Sequence, residues 1–181
     1  QQENITSILA IEKDKSKPRS EKTRYIVMVT RDGVIKKVEA SSFENVRRSG
    51  LIAITLKSGD TLEWARLTTG QDELILITKK GQSIRFSEKD IRPMGRTATG
   101  VHAVRLKKVP ARRALPGEAG GDEVVGMDVI ESERIKAQNE KLLVVMENGY
   151  GKQTLIKQFK KQRRGGSGIK CAKITSKTGN I

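Results

Sequence analysis

The feature that most constrains this chain is a frame of glycines that occurs three times along its 181 residues. In each copy one glycine ends a turn tripeptide, and a second glycine follows 17, 19 and 19 residues later. Asp-Gly and Asn-Gly favour tight turns because these residues tolerate positive φ. The turn glycines are Gly33, Gly81 and Gly149, and the second set is Gly50, Gly100 and Gly168. A frame that recurs three times indicates an array of similar structural units.

Each copy has the pattern of a small antiparallel sheet. An apolar strand, a tight turn and a second strand are followed by a basic loop and an alternating third strand, LIAITL, VHAVRL or IKCAKI. TLEWARL and EVVGMDV have the pattern of a fourth strand. One four-stranded sheet per repeat predicts an all-β fold, a propeller-like array of antiparallel blades. Trp64 and Phe86 are predicted to fill the space between sheets.

The frame also divides the chain. Repeat A covers 25–67, repeat B covers 74–130 with an insertion at about 109–120, and repeat C covers 142–181 and is truncated. Residues 4–11, NITSILAI, have the pattern of a fourth strand and are assigned as the final strand of a preceding repeat. We therefore expect this chain to be part of a longer array. Segment 12–22 and the insertion are predicted to be exposed loops, and 131–141 a short helix or a linker.

The charge of the chain points to a polyanionic partner. Lys and Arg number 36 against 21 Asp and Glu, which gives a formal net charge of +15. A surplus of this size is typical of proteins that bind nucleic acid. No stretch approaches the roughly 20 apolar residues of a membrane helix, so no membrane partner is expected. The single cysteine, Cys171, cannot form an internal disulfide, which fits a cytoplasmic protein.

Basic residues cluster in one loop of every repeat, just before the second glycine. A cationic loop at the same place in three repeats lies on one rim of the array and can follow a phosphate backbone. Gly165 and Gly166 follow two of the arginines and allow a close backbone approach to phosphate. The candidate DNA-binding residues in these loops are Arg47, Arg48, Arg92, Arg96, Lys160, Lys161, Gln162, Arg163, Arg164, Gly165 and Gly166.

The heptapeptide QRRGGSG, residues 162–168, resembles the signature box of the C-terminal domain of gyrase A, the DNA-cleaving component of DNA gyrase. That box has the pattern Gln, basic, Arg, Gly, Gly, basic, Gly, and here Ser167 occupies the sixth place. The segment ENGYGK, 147–152, and the loop RPMGR with TGV, 92–101, are also similar to this family. The resemblance spans nearly the whole chain, and Lys152 of the NGYGK segment joins the DNA-binding candidates.

The resemblance implies a β-pinwheel, in which blades exchange strands, with duplex DNA wrapped around the basic rim. It implies partners as well: the other domains of gyrase A, together with gyrase B, in an A2B2 holoenzyme that introduces negative supercoils with ATP. It also implies association with the chromosome. ATP and magnesium are expected to bind in other domains or subunits, and no cofactor is expected in this fragment.

The residues themselves predict no catalytic and no metal site. There is no GxxxxGK[ST] loop and no HExxH motif, and one histidine cannot supply a triad and a metal set together. The fragment is therefore expected to be a binding module, while the parent protein is expected to be an ATP-hydrolysing type II topoisomerase. The alternatives are the corresponding C-terminal domain of topoisomerase IV, or a propeller scaffold that binds protein or RNA.

Overall fold

The computed structural model describes residues 5–11, 24–45, 48–107, 121–136 and 139–181. The described residues form antiparallel sheets, short 3-10 helices and one helical turn, so the chain has an all-β fold as predicted. Residue Arg47, the segment 12–22 and the insertion at about 109–120 lie outside the described residues, as does Asn4 at the start of the predicted strand 4–11.

The first sheet is built on the hairpin of β1 (Tyr25–Thr30) and β2 (Val34–Glu39). The turn between them closes through a hydrogen bond of 3.0 Å from Gly33 N to Thr30 O. Gly33 has a φ of 78°, a conformation that favours glycine. β3 (Leu62–Thr68) pairs with the free edge of β1, and β6 (Val101–His102) pairs with β2, which gives the order β3-β1-β2-β6.

The second sheet repeats this plan. Its hairpin consists of β4 (Glu73–Thr78) and β5 (Gln82–Ser87). β7 (Val124–Ile130) and β10 (Ile169–Lys170) complete the order β10-β5-β4-β7. A third hairpin of β8 (Lys141–Val145) and β9 (Gly151–Leu155) follows the helical turn α1 (Ser132–Lys136). Residues 131–141, predicted as a helix or a linker, therefore contain this helical turn.

The sheets exchange strands along the chain. β6 lies in repeat B but pairs with β2 of repeat A, in a register that joins Val34 to His102. β10 lies in repeat C but pairs with β5 of repeat B, and Lys170 is opposite Gln82. Each complete sheet thus takes its third strand from the following repeat, which is the exchange that the family resemblance implies.

Both faces of the β4 strand are buried, because a neighbouring sheet packs on each side. Leu74 and Leu76 belong to a core shared with the first sheet, which also contains Phe86 and, at its border, Trp64. Ile75 and Ile77 point the other way and pack against residues of repeat C. This double burial explains why β4 is a continuous apolar run rather than an alternating one. It also confirms that Trp64 and Phe86 fill the space between sheets.

Two segments that the sequence predicts as strands are not strands. Residues 5–11 contact the first sheet through Leu9 and through Ser7 Oγ, which lies 3.4 Å from Ala65 O. Residues 51–56, the third strand predicted for repeat A, are also without strand pairing. For residues 51–56 the reason is the exchange: a third strand pairs with the sheet of the preceding repeat, and no described strand precedes repeat A. A fourth strand pairs with the first strand of its own repeat, and for residues 5–11 no such strand is described either. An alternating pattern alone does not make a strand without a hydrogen-bonded neighbour.

In the first two hairpins, an aspartate at equivalent positions connects the turn to the strand that follows in the same blade. Asp60 Oδ1 accepts hydrogen bonds of 3.0 Å from Asp32 N and 2.9 Å from Thr61 N. Asp122 Oδ1 accepts in the same way from Lys80 N and Glu123 N, at 2.9 and 3.1 Å. Both carboxylates are buried, and both satisfy backbone N–H groups that the tight turns leave without partners. The two turns are therefore held in fixed positions on their blades.

Candidate nucleic-acid interface

The basic loops of repeats B and C start on the second strand of the preceding repeat. In repeat B, Met94 N donates a hydrogen bond of 2.8 Å to Lys37 O. In repeat C, Gln162 N donates to Arg85 O, also at 2.8 Å. The same backbone hydrogen bond therefore anchors both loops, and both loops begin at equivalent positions of their sheets.

The far end of each loop lies against the segment that follows the second glycine of the preceding repeat. Gly165 N donates to Ala103 O at 2.6 Å, and Arg105 N donates to Gly166 O at 2.8 Å. Gly165 has a φ of 78°, which lets the chain turn back onto this segment. The loop of repeat B makes the equivalent bond, from Thr55 N to Ala98 O at 3.3 Å. Each loop and the segment after the second glycine of the preceding repeat thus form one continuous surface.

The structure places the predicted DNA-binding residues in two groups. The exposed residues extend from the loops or from β9, whereas the half-buried ones have part of their surface against the protein. The exposed group is Arg48, Arg92, Lys152, Lys160, Lys161 and Arg163. The half-buried group is Arg96, Gln162, Arg164, Gly165 and Gly166.

Arg164 holds the preceding repeat through backbone oxygens. Its Nε donates to Asp90 O at 3.0 Å and its Nη1 donates to His102 O at 3.1 Å. Asp90 ends a 3-10 helix before the loop of repeat B, and His102 lies in the strand after that loop. The guanidinium therefore spans the base of the loop of repeat B. We interpret Arg164 as a residue that positions two loops rather than one that only offers charge.

Lys36 is an anchor that the sequence analysis missed. Its side chain is inaccessible to solvent, and its ammonium donates to Ala53 O at 2.8 Å and to Arg96 O. Burial lowers the pKa of this ammonium. Two backbone oxygens therefore hold Lys36 at the point where the loop of repeat B meets residues 51–56. Since Lys152 follows its turn glycine by three residues, as Lys36 does, the two lysines occupy equivalent positions.

An ion triad connects the second sheet to the loop of repeat C. Arg85 Nε lies 2.6 Å from Glu73 Oε2, and Lys161 Nζ lies 2.9 Å from Glu73 Oε1. Arg85 Nη1 also donates to Ile156 O and Phe159 O, at 2.8 and 3.2 Å. Burial alone would raise the pKa of Glu73, but hydrogen bonds and charge from Lys161 and Arg85 outweigh it and lower that pKa.

The lowered pKa of Glu73 makes the stability of the chain depend on pH. Glu73→Gln is expected to reduce the free energy of unfolding at pH 7 by about 1–3 kcal/mol, because it removes a charged acceptor. The stabilisation is complete above the unfolded-state pKa, near about 4.3, and is lost as the pH falls through the lower folded-state pKa. Urea denaturation of both proteins between pH 7 and pH 2 measures this. The two curves should converge in acid; a constant gap would contradict the assignment, and Glu39→Gln, at an exposed site, is the control.

Two exposed cations beside the loops were not predicted as site residues. Arg105 follows β6, and its N donates to Gly166 O of the loop of repeat C, while Lys170 lies in β10, directly after that loop. Their outward position in an alternating segment was visible in the sequence. Their closeness to the loops was not, because it depends on the hydrogen bonds between repeats. The interface is therefore wider than the loops alone.

Within the described ranges, no group of three or more His, Cys, Asp or Glu side chains is arranged to hold a metal ion. Among the same residues, no helix has the length and apolar character required to span a membrane. Cys171 is buried, and the pKa of its thiol is raised chiefly by that burial.

These features define a β-propeller-type array with exchanged strands and cationic loops at equivalent positions. The family described as DNA gyrase C-terminal domain, beta-propeller, matches residues 24–69, 72–108 and 140–180. These three stretches correspond to the three copies of the glycine frame. The chain belongs to this family of DNA gyrase C-terminal domains.

Relatives and solved structures agree with this assignment. The gyrase A protein of Staphylococcus epidermidis is 38% identical over 179 residues, which are 99% of this chain and 18% of that protein. The C-terminal domain of DNA topoisomerase IV is similar with a TM-score of 0.73 and 28% identity, over 88% of this chain and 45% of that one. A DNA gyrase A C-terminal domain is similar with a TM-score of 0.71 and 28% identity, over 88% and 47%. The chain thus spans about a fifth of the curated relative.

Proposed function

We propose that this chain is a non-catalytic module of gyrase A that binds double-stranded DNA and wraps it around the cationic loops. The observation that carries the proposal is the repetition of the loop anchor. Met94 N to Lys37 O and Gln162 N to Arg85 O are the same bond in successive repeats. Identical anchors present positive charge at regular intervals, as a bent phosphate backbone requires.

The chemistry of the exposed cations favours backbone contacts over base contacts. Arg92, Lys160 and Arg163 extend from loops, and Arg105 and Lys170 lie beside them. No described helix has the length of a recognition helix, since α1 has five residues. Contacts are therefore mainly to phosphate, and any sequence preference arises from the flexibility of the DNA. Many weak contacts share the bending cost, which is of order 1–6 kcal/mol for a site of 20–30 base pairs.

In the holoenzyme, the wrapped duplex is presented to the other domains of gyrase A for ATP-dependent negative supercoiling. The proposed assembly is A2B2 with gyrase B, in the cytoplasm and on the chromosome. ATP and magnesium act in other domains or subunits. The support for this part of the proposal is the similarity to gyrase A.

The alternative within the same fold is the corresponding domain of topoisomerase IV, which the likeness to its solved C-terminal domain supports. The heptapeptide QRRGGSG, 162–168, favours gyrase, because it resembles the gyrase box at six of seven places. A protein-binding scaffold would offer aromatic residues at its contact surface, whereas the described basic loops expose several cations and no aromatic side chain: Arg48, Arg92, Lys160, Lys161 and Arg163. Competition between duplex DNA and duplex RNA tests the RNA-binding alternative, because A-form helices offer a different backbone path.

A topology assay tests wrapping directly. A nicked plasmid is saturated with the chain and religated, and the linking number is compared with that of a plasmid religated alone. We expect a shift of one sign that grows with the amount of bound protein. No shift at saturation would refute wrapping, even if the chain still bound DNA.

The salt dependence of binding counts the contacts. We count five exposed cations as phosphate contacts: Arg92, Arg105, Lys160, Arg163 and Lys170. Log affinity should then fall with log salt at a slope of roughly −4.5, since each contact contributes about 0.9. Fluorescence anisotropy of a labelled duplex at several salt concentrations measures the slope. Arg163→Ala should reduce its magnitude by about 0.9. Arg134→Ala is the control, because Arg134 is 60% exposed on α1, outside the loops. A slope near −1 in the unmodified chain would mean a single local contact. It would refute the proposal that cations from several loops contact the DNA backbone together.

A further inference from the structure

Two adjacent lysines in the loop of repeat C have different surroundings. Lys160 is exposed and forms no ion pair with any residue in the described part of the chain. Lys161 directs its ammonium to Glu73 Oε1 at 2.9 Å. The Glu73 side chain is 10% exposed, whereas that of Lys161 is 54% exposed. One lysine is therefore open to solvent, and the other bridges a buried carboxylate to the surface.

The junction between repeats A and B has no carboxylate at the position equivalent to Glu73. Counted from the turn glycines, Tyr25 corresponds to Glu73, and Lys37 corresponds to Arg85. Pro93 takes the place of Lys161, because it pairs with Lys37 as Lys161 pairs with Arg85. There the Lys37 ammonium lies 4.8 Å from the centre of the Tyr25 ring and donates to Glu88 O at 2.9 Å. That loop leaves the sheet with no cation at the position of Lys161.

We propose that Glu73 is a positioning residue that holds Lys161 on the second sheet, so that Lys161 is not one of the phosphate contacts of the loop. This inference rests on the proposed function, because it concerns which cations of the loop meet DNA. It reverses the prediction from the sequence, in which Lys160 and Lys161 are equivalent members of one basic run.

The physical reason is the cost of removing a partner from a buried charge. If Lys161 turned to a phosphate, Glu73 would keep only Arg85, and one of its oxygens would lose its hydrogen bond in a poorly solvated place. A contact between an exposed ammonium and a phosphate in water gains little in exchange. Gln162 N, bonded to Arg85 O, holds the next residue in place as well. The loop therefore begins at a fixed point and offers its charge from Lys160 and Arg163.

The matched pair Lys160→Met and Lys161→Met tests this proposal, because each variant removes one ammonium from neighbouring positions. The slope of log affinity for a labelled 40-base-pair duplex against log salt is measured for both. Lys160→Met should reduce the magnitude of the slope by about 0.9. Lys161→Met should leave the slope unchanged. In urea denaturation, Lys161→Met should unfold at a lower midpoint than Lys160→Met, because only Lys161 partners a buried carboxylate.

A third variant, Glu73→Gln, releases Lys161 and should make the slope steeper by up to about 0.9. A residue with a merely structural role would weaken binding without adding to the slope. The proposal is overturned if Lys161→Met reduces the slope as much as Lys160→Met does, or if Glu73→Gln leaves the slope unchanged. In either case the proposed DNA binding still stands. If the unmodified chain binds no duplex DNA, the proposed function fails and this inference fails with it.

Discussion

Replacing Gly168 with alanine is expected to destabilise the chain by about 3 kcal/mol or more. Gly168 has a φ of 73°, where a side chain is strained. A Cβ at this position would also overlap the backbone oxygen of Ser83, on the strand with which β10 pairs. Because the obstacle is backbone, no side chain can rotate away to relieve it. Urea or guanidinium denaturation of the two proteins measures the difference.

Gly50 provides the matched control for this change. It has the same φ of 73°, but no atom of the described residues lies within 4 Å of the place where its Cβ would stand. Gly50→Ala should therefore cost only the conformational strain, roughly 1–2 kcal/mol. If both variants lost the same stability, the backbone contact at Ser83 would carry no energy and the crossing of Gly168 over β5 would not be tight.

Arg85→Met is the second change with a large expected effect, a loss of about 3–5 kcal/mol. It leaves the buried Glu73 with only Lys161, and it removes the donor to Ile156 O and Phe159 O. Methionine keeps an unbranched apolar stem in place of the arginine stem, so the loss arises mainly from the missing charge and donors. Chemical denaturation at pH 7 measures it.

A double variant separates the charge from the donors. Glu73→Gln together with Arg85→Met removes both partners of the buried ion pair, so no unpaired charge remains in the interior. The double variant should be more stable than Arg85→Met alone, because the uncompensated carboxylate is the largest part of the penalty. If the two losses simply add, Glu73 and Arg85 do not interact energetically, and the triad is not what joins repeat C to the second sheet.

Local features of the fold were predictable from the sequence. The turn glycines Gly33, Gly81 and Gly149 all have positive φ, from 78° to 80°. Hairpins depend on residues close together in the chain, so their turns and apolar runs identify them. The sequence also indicated the inward position of Phe86, because it lies in an apolar segment of a strand.

The exchange of strands could be predicted only through the family resemblance. VHAVRL alternates as an edge strand should, but nothing within it selects β2 of repeat A over β5 of its own repeat. The selection is made by distant contacts, such as the fit of Gly100, where a Cβ would stand 2.6 Å from Ile35 O. For the same reason residues 51–56 were predicted as a strand although no described strand pairs with them.

Two lysines of β2 illustrate a second limit of sequence-based prediction. Lys36 and Lys37 stand side by side in a strand and have the composition of a solvent-facing segment, yet both are buried. Each donates to backbone oxygens on the loop or the 3-10 helix of the following repeat. Whether a lysine offers its charge to solvent or binds a carbonyl depends on the neighbouring repeat. The sequence therefore locates the positive charge but does not tell anchors from exposed cations.

The exchange of strands also determines the order in which the sheets can fold during synthesis. The first sheet uses residues from Tyr25 to His102, although its central hairpin is complete at Glu39. A ribosome that adds about 5–20 residues per second needs several seconds to pass from one point to the other. During that interval the edge of β2 that will receive β6 is open. Folding of the two four-stranded sheets therefore lags synthesis by about one repeat, because each is completed only by residues of the following repeat.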